Sequence, residues 1–295
     1  KKKVLITGHT GFKGSWLSLW LSYVGAKVYG ISNNIPSNPS NFKAIGLRKK
    51  INHNIIDIRN LEKLKKTISR IKPDFIFHLG AHTSLEYCES NIEDAYLTNT
   101  LSVENATNIS NNLKIPILYI STAGIFDGQK EIYDDWDIPN PLGTYARSKY
   151  MGELFVQNNN PRHLICRAGW MMGSGPKKDK KFIQKIMKQI KEGNQNLNIV
   201  NDKLGTPTYT VDFANNVKLL LESNQWGLYN MVCKGLTSRF EVTENILKIL
   251  NLDKKININQ VDSSFFSKEY FAPRPKSERL INKKLDLRNM NIMRE

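Results

Sequence analysis

The sequence of 295 residues has few cysteines and no long apolar run. Its three cysteines, Cys88, Cys166 and Cys233, lie far apart without a CxxC pair or metal-ligand spacing, so we predict buried, reduced thiols and no metal site. No segment reaches the about 18 uninterrupted apolar residues that a membrane helix needs. The chain runs from Lys3 straight into an apolar stretch without a signal-peptide layout. We therefore expect a cytoplasmic protein with no membrane partner.

Acidic residues are also scarce, which leaves a formal net charge of +16 from 43 Lys and Arg against 27 Asp and Glu. Such a charge can attract nucleic acid, an acidic membrane surface or a small anionic ligand. The basic residues are spread along the chain, with no aromatic-interleaved basic cluster and no DNA-reading motif. We expect a solvated basic surface with some attraction for nucleotide phosphates, and no nucleic-acid partner.

The start of the chain has the pattern of a βαβ unit. Residues 2–6 favour a strand, residues 15–24 an apolar helix that Gly25 ends, and residues 27–31 the next strand. The segment between the first strand and the helix supplies the candidate cofactor-binding residues Gly8, Thr10, Gly11, Phe12, Lys13 and Gly14. Its glycines permit a tight turn, close approach of a pyrophosphate and close helix packing. The pattern predicts a dinucleotide bound at the helix N-terminus.

Strand and helix patterns then alternate through the first half of the chain. After a loop at 33–48, we predict strands at 50–56, 75–79, 115–120 and 162–167 and helices at 61–71 and 91–113. This alternation is typical of a doubly wound parallel α/β sheet, the Rossmann fold, with right-handed crossovers.

The second half of the chain has a looser pattern. We predict a basic helix at 180–192, a strand at 197–200, and helices at 211–223 and 240–250. We expect a Rossmann domain over 1–168, to which 200–230 returns, and a smaller interleaved substrate domain over 169–295.

Two neighbouring stretches, ISTAGIFDG (120–128) and GTYARSKY (143–150), carry candidate chemistry. Tyr145 and Lys149 are four residues apart and share one face of a helix. A cation beside a phenol lowers its pKa from about 10, which suits proton exchange with a carbonyl oxygen near neutral pH. Thr122 follows a predicted strand, where open α/β sheets place ligands. The alternative is an ordinary amphipathic helix that carries YxxxK by chance.

These motifs together resemble the extended short-chain dehydrogenase/reductase superfamily. The segment TGHTGFKGSW (7–16) is similar to CDP-glucose 4,6-dehydratases. The chain from residue 78 on is similar to dTDP-4-dehydrorhamnose reductases in the segments HLGAHTSLEYCE (78–89), AYLTNT (95–100), YISTAGIFDG (119–128), IPNPLGTYARSKYMGE (138–153), RHLICRAGWMMG (162–173), VNDKLGTPTYTVDFA (200–214) and APRPKSERL (272–280).

The resemblance implies a role for each matching residue. Tyr145 would protonate a sugar keto oxygen, Lys149 would lower the Tyr145 pKa and bind the nicotinamide ribose, and Thr122 would position the carbonyl. Asn99 would hold the active-site backbone. The other implied cofactor contacts are Asn33, Asp57, Ile58, Leu79, Gly80 and Ala81, and the implied substrate contacts are Thr83, Ser84, Ala123, Trp170, Thr206, Pro207 and Arg274. Trp170 would stack on the sugar, unless it is a core residue, and Arg274 would meet the diphosphate, unless it is a surface charge.

Cofactor choice depends on the end of the second strand, where an acid would bind the adenosine ribose of NAD. This chain has Ser32, Asn33 and Asn34 there, and Lys13 and Arg48 can meet a 2′-phosphate. We expect NADP(H) rather than NAD(H). His9 and His82 lie near glycine turns. Neither belongs to a group of residues with metal-ligand spacing, so we interpret both as loop residues.

The chain departs from the reductases after Thr122, where they continue with an acidic residue and Tyr but this chain has Ala123 and Gly124. The elimination of water by 4,6-dehydratases needs acids there and is unsupported. We expect NAD(P)H-dependent reduction of a nucleotide-linked 4-keto-deoxysugar for surface polysaccharide biosynthesis, by a possible homodimer. The alternatives are a nucleotide-sugar epimerase with bound NAD and a non-catalytic NADP-binding regulatory subunit.

Overall fold

The protein is built around a large parallel sheet in the computed structural model, which describes residues 1–38, 40–173 and 182–295. The strands are β1 (Lys3–Thr7), β2 (Lys27–Ser32), β3 (Asn52–Ile55), β4 (Phe75–His78), β5 (Ile117–Thr122), β6 (His163–Ala168), β7 (Trp170–Met172), β8 (Asn196–Val200), β9 (Leu204–Gly205), β10 (Pro207–Tyr209), β11 (Gly227–Asn230), β12 (Thr237–Ser238), β13 (Asn257–Val261) and β14 (Ser277–Glu278).

Helices connect most of these strands. The α-helices are α1 (Phe12–Tyr23), α2 (Asn41–Ala44), α3 (Leu61–Ile71), α4 (Leu85–Ser90), α5 (Ile92–Tyr96), α6 (Ser102–Asn112), α7 (Thr144–Asn159), α8 (Phe182–Lys191), α9 (Thr210–Glu222), α10 (Arg239–Ile249) and α11 (Lys283–Leu287). A π-helical turn (Leu97–Leu101) joins α5 to α6, and 3₁₀ turns lie at Leu47–Lys49, Ala123–Ile125 and Ser263–Phe266. None of the described helices is both long and apolar enough to span a bilayer.

The central sheet has seven strands in the order β3-β2-β1-β4-β5-β6-β11, and every neighbouring pair is parallel. The predicted doubly wound Rossmann sheet is therefore confirmed. The strand order reverses between β1 and β4. The carboxyl ends of these strands, at Thr7 and His78, flank the crevice where such sheets bind ligands.

Both faces of the central sheet are covered, because alternate residues of each strand point to opposite sides. On one face Val4 and Ile6 of β1 pack in a cluster with residues of α1 and α9, such as Leu21 and Val217. On the other face Leu5 packs in a cluster with residues of α3, α6 and α7. Two helical layers on one parallel sheet hold the strand ends rigidly for a binding site.

The second half of the chain contributes one strand to the central sheet and several to smaller sheets. β11 pairs with β6 at the sheet edge, which brings residues 227–230 back to the first half. Small sheets form from β7 with β10, from β8 with β13, and from β9 with β12 and β14. A separate apolar cluster includes Ile186, Leu197 and Leu247. The domain boundary at residue 168 stays a prediction.

Several predicted element bounds differ from the structure. The predicted loop at 33–48 contains α2, which forms because the Ser40 side chain accepts a hydrogen bond from the Lys43 N–H as an N-cap. The single helix predicted at 91–113 is α5, the π-helical turn and α6 in succession. Residues 180 and 181 of the helix predicted at 180–192, and residue 39 of the predicted loop, lie outside the described part of the chain.

Candidate active site

The glycine turn after β1 brings the ends of β1 and β4 into contact. Gly8 has a φ of +70°, and a Cβ placed on it would lie 2.8 Å from the Gly80 nitrogen. The Thr7 hydroxyl accepts hydrogen bonds from the N–H groups of Leu79 and Gly80, each at 3.1 Å. Only glycine fits at position 8, because the φ is positive and the backbone of Leu79 and Gly80 lies where a Cβ would be. The turn and the residues at 79–81 form one wall of the crevice.

The N-terminus of α1 opens beside this turn. A Cβ on Gly14 would lie 2.2 Å from the Gly8 carbonyl oxygen, so the helix packs directly on the turn. The N-cap is Gly11, no side chain caps the helix, and its first turn contains no acid. Its free N–H groups and the helix dipole therefore favour an anion. This arrangement fits the pyrophosphate of a dinucleotide.

His9 lies in the turn after β1, as expected for a loop residue, but its side chain is fully buried. Its Nδ1 lies 3.1 Å from the Ser32 hydroxyl, and its Nε2 lies 2.6 Å from Nδ1 of His53. Burial lowers the pKa of His9 to about 4, so the ring is neutral at physiological pH. A Cβ on Gly30 would lie 2.3 Å from the His9 ring, so the absence of a side chain on β2 makes room for the imidazole.

The predicted cofactor contacts Asn33, Asp57 and Ile58 lie near the ends of β2 and β3. The Thr10 hydroxyl donates to the carbonyl oxygen of Asn34 at 2.6 Å, which ties the glycine turn to the end of β2. Asn33 is exposed there. The Asp57 carboxylate is held by Arg59, whose guanidinium lowers the Asp57 pKa. The side chain of Ile58 is buried, and its Cδ1 lies 2.6 Å from the position of a Cβ on Gly80.

Tyr145 lies in the first turn of α7, beside the end of β5. Its pKa is raised to about 12, because burial and the charge of Glu278 outweigh a hydrogen bond with Thr122, which lowers it. The net pKa of Tyr145 thus lies above its ordinary value and not below it, and the expected effect of Lys149 on this pKa stays a prediction. The physical reason is that burial disfavours the phenolate more than its neighbours stabilise it. A phenol that stays protonated at neutral pH is suited to donating a proton.

Lys149 lies one turn further along α7 and is only 4% exposed. Its ammonium is 4.0 Å from the centroid of the Tyr119 ring, whose hydroxyl donates to the Lys149 carbonyl oxygen at 2.9 Å. Burial and the charge of Lys13 lower the pKa of Lys149 to about 7, and Glu153 opposes that change. Lys13 lies in the first turn of α1, so its charge acts on the Lys149 ammonium from the start of that helix.

The depressed pKa of Lys149 predicts a pH dependence of stability. The folded-state pKa of about 7 lies below the ordinary lysine value of 10.5, so between these values the unfolded chain binds the extra proton. Stability should therefore rise with pH from 7 to 9, by up to about 1.4 kcal/mol per unit from this group. Urea unfolding of the cofactor-free protein should show this rise, and Lys149→Met should flatten it. An unchanged slope in Lys149→Met would refute the assignment.

Asn99 connects the loop after β4 to α7. Its Oδ1 accepts from the His82 N–H at 2.8 Å, and its Nδ2 donates to the His82 carbonyl oxygen and to the Ser148 hydroxyl, each at 3.1 Å. It lies in the π-helical turn, a conformation often found at functional sites. These contacts match the backbone-holding function that the resemblance implies.

Other residues of the protein contact both the ring and the N–H of the Trp170 indole. A Cβ on Gly205 would lie 2.2 Å from the indole, and the Arg239 guanidinium lies 3.6 Å from the ring centroid. The indole Nε1–H donates to Glu278 Oε2 at 2.7 Å. The predicted stacking of Trp170 on a sugar thus competes with contacts that the ring already makes.

The remaining predicted substrate residues differ in how far they are buried. Thr206 is buried and its hydroxyl hydrogen-bonds the Leu280 backbone, whereas Pro207 is half-buried in β10. Ala123 is only 2% exposed and packs in an apolar cluster, so its methyl is not open to a ligand. Thr83 and Ser84 are exposed at the start of α4.

Arg274, the predicted diphosphate ligand, lies close to this surface. Its guanidinium is 2.5 Å from Oε1 of Glu86 and donates to the carbonyl oxygen of Ala272 at 2.9 Å. The residue is partly buried, so it is not simply a solvated surface charge. A bound diphosphate would have to share Arg274 with the Glu86 carboxylate.

Comparison with known proteins agrees with this geometry. The family model of the RmlD substrate binding domain matches residues 2–295. This chain belongs to that family. The spore coat polysaccharide biosynthesis protein SpsK of Bacillus subtilis strain 168 is 29% identical to it over 255 residues, which cover 86% of this chain and 81% of SpsK. The CDP-glucose 4,6-dehydratase of Salmonella typhimurium strain LT2 is 30% identical over 219 residues, or 68% of this chain and 60% of that enzyme.

Solved structures include a close fold match to this RmlD-family chain. The dTDP-4-dehydrorhamnose reductase of Bacillus anthracis strain Ames, solved in complex with NADP, has a TM-score of 0.85 and 27% identity, and the match covers 100% of this chain and 95% of that one. The resemblance to both the reductases and the dehydratase, inferred from the motifs, is confirmed.

Two features of this RmlD-family chain were not found from the sequence. Arg59 and Asp94 form an ion pair at 2.5 Å, and Asp94 also lies 2.8 Å from both His82 Nε2 and the Tyr87 hydroxyl. This network fixes the loop after β4. The second feature is Glu278, which reaches the site from β14. Neither has a local sequence signal, because each depends on contacts between distant segments.

Proposed function

We propose that this RmlD-family chain is an NAD(P)H-dependent oxidoreductase that reduces a nucleotide-linked 4-keto-deoxysugar in surface polysaccharide biosynthesis. The observation that carries the proposal is the hydrogen bond between Thr122, at the carboxyl end of β5, and Tyr145 of α7, with the buried Lys149 one turn further along that helix. The name of the Bacillus anthracis dTDP-4-dehydrorhamnose reductase supports the substrate class, and the name of SpsK supports polysaccharide biosynthesis.

The crevice fits a nicotinamide dinucleotide. The N–H groups at the start of α1 would hold the pyrophosphate, the turn at Gly8 and Gly80 would line its path, and Lys149 would bind the nicotinamide ribose. Such a cofactor supplies a hydride when it is bound. The absence of a side chain at Gly14 lets α1 pack directly on the glycine turn, which brings the N–H groups at the start of the helix beside that turn.

The side chains of the chain would handle the proton and the developing charge. Tyr145, protonated at neutral pH, would donate its phenolic proton to the keto oxygen, and Thr122 would fix that oxygen by a hydrogen bond. Lys149, in its protonated form, would place positive charge near the oxygen in a buried setting, where electrostatic stabilisation is strong. Holding the keto carbon of the sugar close to the nicotinamide would supply the remaining rate advantage.

NADP(H) is the cofactor that we propose. The end of β2 has no acid to bind ribose hydroxyls or repel a 2′-phosphate, since Ser32 is engaged by His9 and the following residues are asparagines. Arg48 is exposed nearby, where its charge lowers the pKa of His53. The NADP complex of the Bacillus anthracis reductase supports this preference.

The substitution Arg48→Ala tests this preference. Removal of a charge-assisted phosphate contact should raise the KM for NADPH roughly tenfold and leave the KM for NADH unchanged. Lys50→Ala is a matched control, because Lys50 is an exposed cation two residues away whose ammonium lies over the Tyr23 ring. Equal KM changes for both cofactors, or none, would remove Arg48 from the proposed site.

The function itself is tested by following NADPH absorbance with a panel of dTDP-, CDP-, GDP- and UDP-linked 4-keto-6-deoxysugars. Oxidation of NADPH by one member would support the reductase and name its nucleotide. A protein that purifies with tightly bound NAD and interconverts sugar epimers would instead be an epimerase. Cofactor binding without turnover on any sugar would favour a regulatory subunit.

A further inference from the structure

The turn after β5 has no polar side chain at the two positions that follow Thr122. Ala123 is buried in an apolar cluster, and Gly124 has no side chain. A Cβ placed on Gly124 would lie 3.1 Å from Oε1 of Glu278 and 3.6 Å from the Thr122 hydroxyl oxygen. The carboxylate of Glu278 therefore occupies the space that a side chain at position 124 would enter.

Glu278 is held in this place from two directions. Oε2 accepts the hydrogen bond from the Trp170 indole at 2.7 Å. The backbone is fixed in β14, which pairs with β9, and the preceding Ser277 hydroxyl donates to the Glu131 carbonyl oxygen at 2.5 Å. Within the described part of the chain, Oε1 accepts no hydrogen bond. A fixed, partly buried carboxylate with one free oxygen is a ready acceptor for a ligand.

The carboxylate also lies within electrostatic reach of the reacting groups. Its charge is one of the influences that raise the pKa of Tyr145, together with burial and Cys88 of α4. Thr122 hydrogen-bonds Tyr145, and a Cβ on Gly124 would touch both the Thr122 hydroxyl and Glu278 Oε1, so a sugar whose keto oxygen meets Tyr145 would have its neighbouring ring carbon close to Glu278.

We propose that Glu278 is a specificity-determining residue whose Oε1 accepts a hydrogen bond from a hydroxyl group on the sugar carbon next to the keto carbon. The inference rests on the proposed function of the same site. Glu278 thereby supplies, from the far end of the chain, the acid that is absent after Thr122. A sugar that lacks this hydroxyl would leave a partly buried carboxylate unpaired, and the site would discriminate against it.

The test compares a 4-keto sugar nucleotide with its analogue deoxygenated at the adjacent carbon. The wild-type protein should prefer the hydroxylated sugar by about 100-fold in kcat/KM, and Glu278→Gln should reduce that preference to about tenfold or less through loss on the hydroxylated sugar alone. Equal loss on both sugars, or an unchanged preference, would overturn the proposal. Because Gln keeps the size of the side chain, thermal unfolding should not change appreciably.

Two further variants separate a direct contact from a general disturbance. Gly124→Ala should push the carboxylate aside and reproduce part of the Glu278→Gln effect, because the added methyl would meet Oε1. Glu131→Gln is the control, since Glu131 pairs with the adjacent Arg279 but is 70% exposed and makes no side-chain contact with Glu278. This control should leave the preference intact, and a preference lost equally in Glu131→Gln would count against the proposal.

A binding measurement keeps this inference separate from the proposed reduction. Titration calorimetry of the two sugar nucleotides should show tighter binding of the hydroxylated one to the wild-type protein, and Glu278→Gln should remove that difference. If NADPH is never oxidised but the difference in binding is present and depends on Glu278, the reductase proposal fails and the contact stands. If oxidation occurs but neither measurement depends on Glu278, only the contact fails.

Discussion

Replacement of Tyr145 by Phe should lower kcat for sugar reduction by about 10²- to 10⁴-fold, the usual contribution of a general acid. Phe fills the same space at the start of α7 but has no proton to donate to the keto oxygen. The affinity for NADPH should change little, because the pyrophosphate would be held by α1 and not by the phenol. Steady-state assays and a fluorescence titration of NADPH check the two parts of this result.

The matched control is Tyr150→Phe on the same helix. Tyr150 is half-buried against the cluster of Ala123, Ile125 and Phe126, so the substitution removes a hydroxyl outside the proposed chemistry. We expect activity within about twofold of the wild type, since substitutions away from such groups have small effects. A Tyr145→Phe protein with activity similar to that of Tyr150→Phe would refute the role of Tyr145 as proton donor.

The second large effect should come from Glu153, one turn beyond Lys149. Its carboxylate is 2.6 Å from the Arg167 guanidinium, and the two side chains are only 1% and 4% exposed. Glu153→Gln leaves Arg167 buried without a countercharge and should lower the free energy of unfolding by about 3–5 kcal/mol. Urea unfolding at neutral pH measures this loss.

Two comparisons test whether burial of the unpaired charge is the cause. The double variant Glu153→Met, Arg167→Met should be more stable than Glu153→Gln, because it removes both charges. The exposed pair of Lys218 and Glu222 on α9 provides the control, since Glu222→Gln should cost at most about 1 kcal/mol. A loss for Glu153→Gln no larger than that for Glu222→Gln would show that the buried pair contributes little.

The parts of the fold that could be predicted have strong local signals. The run from β1 through α1 to β2 follows from apolar runs separated by glycines, and the spacing of Tyr145 and Lys149 places both on one face of α7. Short strands such as β9 and β14 were missed, because two residues carry no periodicity. They form only when distant backbone segments pair.

The pKa values of the site residues could not be predicted from the spacing of residues in the sequence. The pKa of Tyr145 goes up and not down, because burial outweighs neighbouring groups and because Glu278 adds a negative charge. The hydrogen bond that places Glu278 joins it to Trp170 across 108 positions in the sequence. The burial of His9 likewise could not be predicted, because it depends on the absence of a side chain at Gly30 on the adjacent strand β2.

Hydride transfer to the sugar is tested most directly with NADPH that carries deuterium at the transferred position of the nicotinamide. The reaction with the accepted 4-keto sugar nucleotide should give a product one mass unit heavier, with the deuterium on carbon 4 of the sugar, and Tyr145→Phe should form it far more slowly. Conversion of the sugar without deuterium at carbon 4, or binding of both ligands without any product, would contradict the assignment of this site as a reductase.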